Sequence, residues 1–163
     1  RSWCDWSSDV CSSDLVMLMK ISTKGRYGLK AMINIGVYSS LENVTKRDIS
    51  EKEEISEKYL EQILSSLKKN GLINSRKGSQ GGYTLAKDSK DITVGDILRA
   101  LEGEMELVNV DEYDDSNIME LCLKKSVWNK LNKGINTLVD SITLEELVYE
   151  YKGYKNTGYM YYI

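Results

Sequence analysis

The stretch that most constrains the fold is residues 56–83, which predicts a helix followed directly by a hairpin with a basic tip. Its first half has the spacing of an amphipathic helix. The apolar face holds Tyr59, Leu60, Ile63, Leu64 and Leu67, and the opposite face holds Lys58, Gln62, Ser65 and Lys69. Asn70 and Gly71 end this helix, because glycine readily adopts the left-handed conformation found at helix ends. Two short β-prone runs follow, 72–73 and 83–85, with the basic, glycine-rich segment 76–82 between them.

The residues before this stretch complete a helix-turn-helix pattern. A helix is predicted at 24–41, and a short second helix at 45–54 begins with Thr45 as its N-cap. Residues 53–56 form the turn, and Ser56 caps the following helix. A small helical bundle without the wing is the alternative. The order of elements favours a winged helix-turn-helix, in which one helix reads base edges and the hairpin tip reaches the DNA backbone.

The charge distribution agrees with a nucleic-acid-binding first half. The whole chain of 163 residues has a net charge of −3, but residues 19–100 carry 15 basic and 10 acidic residues. Residues 101–163 carry 6 basic and 12 acidic residues. No apolar run is long enough to span a membrane. The chain contains no histidine, and no nucleophile–base pairing is visible, so the sequence does not indicate an enzyme.

The chain divides into five segments, giving a mainly α fold with a small β-hairpin wing and a long dimerisation helix. Residues 1–18 are predicted to be a non-native leader, since DWSSDVCSSDL matches the translation of a sequencing-library adapter. The remaining segments are a winged helix-turn-helix domain at 19–101, an acidic loop at 102–116, dimerisation helices at 117–152 and a tyrosine-rich tail at 153–163. The acidic residues of the loop fit no calcium-binding pattern, and no metal site is predicted.

The longest predicted helix, 117–140, carries a heptad pattern typical of helix pairing. One heptad position holds Leu121, Trp128 and Ile135, the second holds Leu131 and Leu138, and Ile142 continues the series. The pattern predicts a seam along a second copy of the chain. The alternative is an amphipathic helix that folds back on its own domain. A further helix is predicted from the capping box at 143–146 to about Tyr151.

Five motifs together resemble one protein family. They are SxKGRYGLxAM at 22–32, YLEQILSSLKKNGLI at 59–73, KGxxGGYxLAK at 77–87, CLxxxVW at 122–128 and SITLEELV at 141–148. This combination is similar to the Rrf-two family of winged helix-turn-helix transcriptional regulators, which includes IscR-, NsrR- and CymR-like proteins. The resemblance covers roughly residues 19–148.

The resemblance implies a homodimeric, cytoplasmic bacterial regulator, usually a repressor, that binds a palindromic site in double-stranded DNA. Lys58, Glu61 and Gln62 would face base edges, Lys77 would be the wing cation, and Lys24 and Arg26 would meet the DNA backbone. The full predicted DNA-binding set is Lys24, Arg26, Tyr27, Lys58, Tyr59, Glu61, Gln62, Ser65, Arg76, Lys77, Gly78, Gly81 and Gly82.

Many family members hold an iron–sulfur cluster on three cysteines with five residues between successive ones. Only Cys122 matches, and counting back gives Ser116 and Val110. Lys125 stands where one subgroup has a histidine ligand. One thiolate does not satisfy the usual ligation, so we expect no cluster and no other cofactor. Cys122 itself is predicted to be a buried thiol beside the seam; the alternative is a redox-sensing thiol activated by neighbouring lysines.

Two other functions remain compatible with these residues. The winged helix could bind a protein partner, with the acidic loop and the tyrosine-rich tail as its surface. The regulator could also sense a metal or a small molecule bound between the distal helix and the winged domain. The sequence does not identify the effector.

Overall fold

Seven α-helices and one β-hairpin form the part of the chain that the computed structural model describes, residues 21–38, 43–78, 81–110 and 116–157. The helices are α1 Thr23–Tyr38, α2 Lys46–Glu53, α3 Glu57–Lys69, α4 Val94–Glu102, α5 Ile118–Leu123, α6 Asn129–Ser141 and α7 Leu144–Asn156. The strands are β1 Ile73–Arg76 and β2 Gly82–Leu85. A 3₁₀ turn at Ser89–Asp91 precedes α4, and a π-helical segment at Lys124–Trp128 joins α5 to α6. These elements confirm the predicted winged helix class.

The main core lies between α1, α3 and the helices packed against them. Met32 and Ile35 of α1 and Leu60, Ile63 and Leu64 of α3 are completely buried. Burial of side chains of this size removes apolar area from water and is the main favourable term in folding. Leu144 and Val148 of α7 belong to the same cluster. The C-terminal helix therefore packs on the winged domain of its own chain, and the role of residues 117–152 in dimerisation stays a prediction.

Local sequence signals set the helix boundaries of the helix-turn-helix. Thr45 caps α2, and its side chain and that of Asp48 form a reciprocal capping box. Ser56 caps α3 through a hydrogen bond from the Tyr59 amide, 3.4 Å long. Between them Glu54 has a φ of 55°, the left-handed conformation that ends α2. The predicted caps and the tight turn are thus confirmed.

The hairpin is antiparallel, with Ile73 opposite Leu85 and Arg76 opposite Gly82. Gly71, with a φ of 70°, turns the chain from α3 into β1. The first strand extends beyond the predicted 72–73 and reaches Arg76. In β1 only Ile73 is buried, so the exposed residues after it are held by pairing with β2. A bridge between Val44 and Tyr83 ties the hairpin to the start of the helix-turn-helix.

The predicted single helix at 117–140 contains a π-helical turn. Asn117 caps α5, accepting hydrogen bonds from the amides of Met119 and Glu120. Across the π segment the Asn129 amide donates to the carbonyl oxygen of Lys124, five residues earlier. A π turn contains one more residue than an α turn, so the helical phase before it is displaced relative to the phase after it.

The loop after α4 is fixed to α6 by asparagine side chains. Asn132 accepts from the Leu107 amide at 2.8 Å and donates to the Val108 carbonyl at 3.0 Å. Asn136 donates to the Met105 carbonyl at 2.9 Å and accepts from Arg99 at 3.0 Å. Met105 is buried with Val94 and Leu98 in a second, smaller cluster. This part of the predicted acidic loop is therefore ordered by packing and hydrogen bonds.

Several predictions lie outside the described residues. They are the leader at 1–18, the acidic residues at 111–115 and the end of the tyrosine-rich tail at 158–163. Among the described residues, no helix has the length and apolar character needed to cross a membrane.

Candidate DNA interface

The outer face of α3 is a polar surface with a rigid apolar base. Leu60, Ile63, Leu64 and Leu67 point into the core and fix the rotation of the helix. Four predicted site residues on the opposite face line one shallow groove: Lys58, Glu61, Gln62 and Ser65. All four are exposed. An exposed helix with this mixture of donors and acceptors can present hydrogen-bonding groups to base edges in a major groove.

The hairpin tip lines a second groove together with the start of α2. The predicted wing residues Arg76, Lys77, Gly78, Gly81 and Gly82 all border it. Thr45, Lys46 and Ser75, which the sequence reasoning missed, border it as well. The signal for Lys46 was present as a basic residue immediately after a helix cap, but only the tertiary fold brings it to the wing. Arg76 and Lys77 are exposed cations suited to phosphate oxygens.

The position of the wing relative to α3 is fixed by direct contacts. The ammonium of Lys68 donates to the hydroxyl of Ser75 in β1 over 2.6 Å. On the other strand, a Cβ at Gly82 would lie 2.8 Å from the backbone oxygen of Val44, so only glycine allows this approach. Gly78 at the tip has a φ of 117°. The two grooves therefore belong to one surface whose parts are held in register.

An ion-pair cluster joins the two grooves. Lys46 Nζ lies 2.9 Å from Glu61 Oε2 and 3.5 Å from Glu57 Oε2. The hydrogen bond that the ammonium of Lys46 donates to Glu61 is the main cause of the raised pKa of Lys46. The carboxylate of Glu61 is thus held by a cation of α2, and one positive charge on the DNA-facing surface is locally neutralised.

Lys24, predicted to meet the DNA backbone, is engaged within its own chain, and its contact with DNA stays a prediction. Its ammonium donates to the carbonyl oxygen of Leu101 over 2.8 Å, at the C-terminal end of α4. A cation is favourable there because helix carbonyls leave a partial negative charge at that end. Glu102 in turn accepts from the Ser22 amide, 3.0 Å away, beside the start of α1. Arg26 remains exposed and donates to the hydroxyl of Thr23.

Tyr27 and Tyr59, both predicted to bind DNA, contact each other. Their ring centroids are 6.0 Å apart in an edge-to-face arrangement with an interplanar angle of 77°. Both rings are partly buried against the main core. This pair fixes α1 against the start of α3, so its role in the described structure is to position the recognition helix.

The predicted dimer seam is rearranged by the π turn. Leu131 and Leu138 are exposed by 44% and 61%, as a seam requires, whereas Leu121, Trp128 and Ile135 are partly buried. The extra residue of the π turn brings Met119 and Leu123, both exposed, into phase with Leu131 and Leu138. Ile142 lies beyond α6 and packs on the second cluster of its own chain, which corrects its predicted place in the seam. We call Met119, Leu123, Leu131 and Leu138 the apolar stripe.

The distal region supplies a single thiol. Cys122 is the one cysteine among the described residues, and it is exposed in the single chain, so the predicted burial would require a second chain. No group of three or more potential metal ligands occurs in the described part of the chain. Cysteine-ligated iron–sulfur clusters use several thiolates. The described residues therefore do not provide the ligand set of such a cluster.

Comparison with known proteins agrees with this geometry. The Rrf2 family profile, described as an iron-dependent transcriptional regulator, matches residues 21–150. The chain is 38% identical over 145 residues to the HTH-type transcriptional regulator CymR of Bacillus subtilis, covering 89% of this chain and all of CymR. It is 37% identical over 130 residues to IscR of Serratia proteamaculans, covering 80% of this chain and 79% of IscR.

A solved structure of CymR from B. subtilis superposes with a TM-score of 0.70 at 37% identity, over 80% of this chain and 97% of that one. The fold and the sequence of this chain are thus both similar to those of B. subtilis CymR. The family match covers both the winged domain and most of the distal helices. This chain belongs to the Rrf2 family of transcriptional regulators.

Proposed function

We propose that the protein is a homodimeric repressor that binds a palindromic operator without an iron–sulfur cluster. The observation that carries the DNA-binding part is the continuous surface formed by the polar face of α3, the wing and the start of α2. Relatives named as HTH-type transcriptional regulators support the same function. The members of such a family act by binding DNA and are not enzymes.

Base recognition would come from α3. Gln62 has the paired acceptor and donor that match the edge of adenine, whereas Glu61 can accept from the amino group of cytosine. Lys58 and Ser65 border the same groove and complete the set of groups that would lie in the major groove. The buried leucines on the opposite side of α3 fix the position of the helix, and base contacts require side chains on such a rigid element.

Affinity would come largely from the wing and from α2. Arg76 and Lys77 are exposed at the hairpin tip and would replace counterions on the phosphate backbone, which makes binding fall steeply with salt. Thr45 and Lys46, at the start of α2, border the same groove. A helix N-terminus favours anionic groups, so Thr45 and Lys46 would hold a phosphate on the strand next to the wing.

Dimerisation would use the apolar stripe. Met119 is 68% exposed and Leu138 is 61% exposed, and both project from one face of the long helix. Exposed apolar residues grouped on one face usually mark a protein contact. A two-fold dimer would carry two recognition helices, and half-sites about 34–36 Å apart would place them in successive major grooves.

The absence of a cluster is proposed from the ligand chemistry. The 163 residues include three cysteines, of which Cys4 and Cys11 lie in the predicted leader. The protein would therefore bind DNA in the cytoplasm with no iron–sulfur cluster. Its signal would act at a site other than a cluster. Anaerobic expression from Met19, a visible spectrum and an iron assay test this: a cluster chromophore with stoichiometric iron would contradict the proposal.

Selection from a pool of random duplexes by the full chain tests the function as a whole. We expect enrichment of a palindrome whose half-sites are one helical turn apart. The enriched duplex should bind at least about 1,000-fold more tightly than a scrambled one, the lower limit of typical specific DNA recognition. Enrichment of no sequence, with equal binding to all duplexes, would reject the proposal.

A further inference from the structure

A cavity of about 300 Å³ lies between α1 and α2, on the side of α2 that carries Asp48 and Lys52. Val44 and Ile49 contribute its apolar wall and are 6% and 1% exposed. Asn34 and Tyr38 of α1 line the opposite side. This volume is at the lower end of the range for small-molecule sites, and the lining is more polar than is usual for them.

The two charged residues of the cavity do not neutralise each other. Asp48 and Lys52 are four residues apart on α2, a spacing at which opposite charges commonly pair on one helix face. The carboxylate oxygen Oδ2 of Asp48 instead accepts from the amide and the hydroxyl of Thr45, at 3.0 and 2.6 Å. No ion pair joins Asp48 to Lys52 within the described part of the chain. The cavity therefore has one negative and one positive group.

The positive end is a built arrangement. Lys52 Nζ donates to Asn34 Oδ1 over 2.6 Å and lies 5.0 Å from the ring centroid of Tyr38 and 5.1 Å from that of Tyr151. Asn34 is 4% exposed, whereas Lys52 as a whole is an exposed residue. Its hydrogen bond to the buried Asn34 keeps the ammonium at this end of the cavity. The positive charge of Lys52 is the main cause of the lowered pKa of Tyr38, and Lys155 acts in the same direction. This end of the cavity favours an anion.

We propose that this cavity binds a free α-amino acid with an apolar side chain. Its carboxylate would lie at Lys52, and its side chain would lie against Val44 and Ile49. Its ammonium would lie at Oδ1 of Asp48, which accepts none of the hydrogen bonds formed within the described part of the chain. A zwitterion satisfies both charges, whereas a simple anion or amine satisfies one.

Such a ligand would be the effector of the regulator described above, so its regulatory meaning rests on the proposed function. The cavity borders α2, and Lys46 of the same helix binds Glu61 of the recognition helix. Tyr151 of α7 contacts Lys52, which links the site to the C-terminal helix as well. Occupancy would thus bias the position of α2 relative to α3, on which DNA binding depends.

Isothermal titration calorimetry of the full chain tests the site with L-valine, L-leucine and L-methionine as probes. We expect saturable binding of at least one of them. Isovalerate lacks the ammonium of valine and isobutylamine lacks its carboxylate, so each should bind at least about tenfold more weakly than L-valine, the loss of one charge-assisted hydrogen bond. No saturable heat with any amino acid, or equal binding of isovalerate and L-valine, would reject the site.

Variants identify the residues. Lys52→Met and Asp48→Asn should each weaken amino-acid binding at least about tenfold, because each removes one charge; Asn retains an acceptor for the Thr45 cap. Lys133→Met, an exposed lysine of α6, is the matched control and should bind normally. Circular dichroism shows whether each variant folds. If one does not, the comparison of L-valine with isovalerate and isobutylamine on the unmodified chain still tests the site. Anisotropy with DNA is measured separately, so loss of the ligand site and failure of DNA recognition give different results.

Discussion

The ammonium nitrogen of Lys46 lies 2.9 Å from Oε2 of Glu61, which ties the first helix of the helix-turn-helix to the polar face of the second. Lys46 also borders the wing groove. Glu61 affects phosphate binding in two ways. Its carboxylate repels phosphate, and it also pairs with the ammonium of Lys46, which could otherwise bind a phosphate. The charge of α2 that is available to DNA depends on where the carboxylate of Glu61 points.

Replacing Glu61 with Gln should release Lys46 for a phosphate contact. We expect tighter binding to scrambled DNA and a steeper salt dependence, with the slope of log K against log salt changing by about 1. Discrimination between selected and scrambled duplexes should fall. Fluorescence anisotropy at four salt concentrations measures both quantities. Glu51→Gln is the control, because Glu51 pairs with Arg47 on the same helix as Lys46 and should leave the slope unchanged.

Lys77→Ala tests the wing. Removal of one exposed cation at the hairpin tip should weaken binding to selected and scrambled duplexes by the same factor. The slope of log K against log salt should become shallower by about 1. Lys87→Ala provides the comparison, since Lys87 is exposed after β2 and borders a different groove beside α7. Equal slopes for Lys77→Ala and the unmodified chain would exclude a phosphate contact at the wing.

Leu138→Glu tests the apolar stripe. A carboxylate within a helix–helix contact has no partner and must be desolvated, so the dimer dissociation constant should rise at least about tenfold. Sedimentation velocity over a concentration series measures it. Thr137→Glu adds the same charge one residue away, at an exposed position outside the stripe. A similar effect of both substitutions would place the interface elsewhere.

Asn132→Ala tests the fastening of the loop after α4. The substitution leaves the Leu107 amide and the Val108 carbonyl without their partners in a partly buried site. We expect a loss of about 1–3 kcal/mol in the free energy of unfolding, measured by urea denaturation. Asn129→Ala, at an exposed position of the same helix, should be neutral or slightly stabilising because alanine favours helices. Equal midpoints for both variants would show that the loop is held by other contacts.

Local chemistry made much of the winged domain predictable. Thr45 and Ser56 cap their helices in the structure, as predicted, and each side chain binds the amide three residues later. The apolar face of α3 is buried as its periodicity predicts. These features depend on residues that are near one another in the chain, so composition and spacing are sufficient to find them.

Features that depend on tertiary contacts were not predictable. Lys24 binds Leu101, which is far away in sequence, and Lys46 meets the wing only through the fold. The π turn at Lys124–Trp128 changes which residues share a face, and a heptad count assumes a constant period. The heptad count placed Leu131 and Leu138 on one exposed face, but it did not anticipate that Ile142 packs on its own chain. The dimer seam itself stays a prediction.

The most direct measurement of the central claim is the binding of Gln62→Ala to the selected duplex and to a scrambled duplex of equal length. Gln62 lies exposed in the α3 groove, where a bidentate base contact is worth about 1–3 kcal/mol. We predict a loss of that size on the selected duplex, relaxed preference at one base pair of each half-site, and almost no change on the scrambled duplex. An equal loss on both duplexes, or no loss on either, would contradict base recognition by α3.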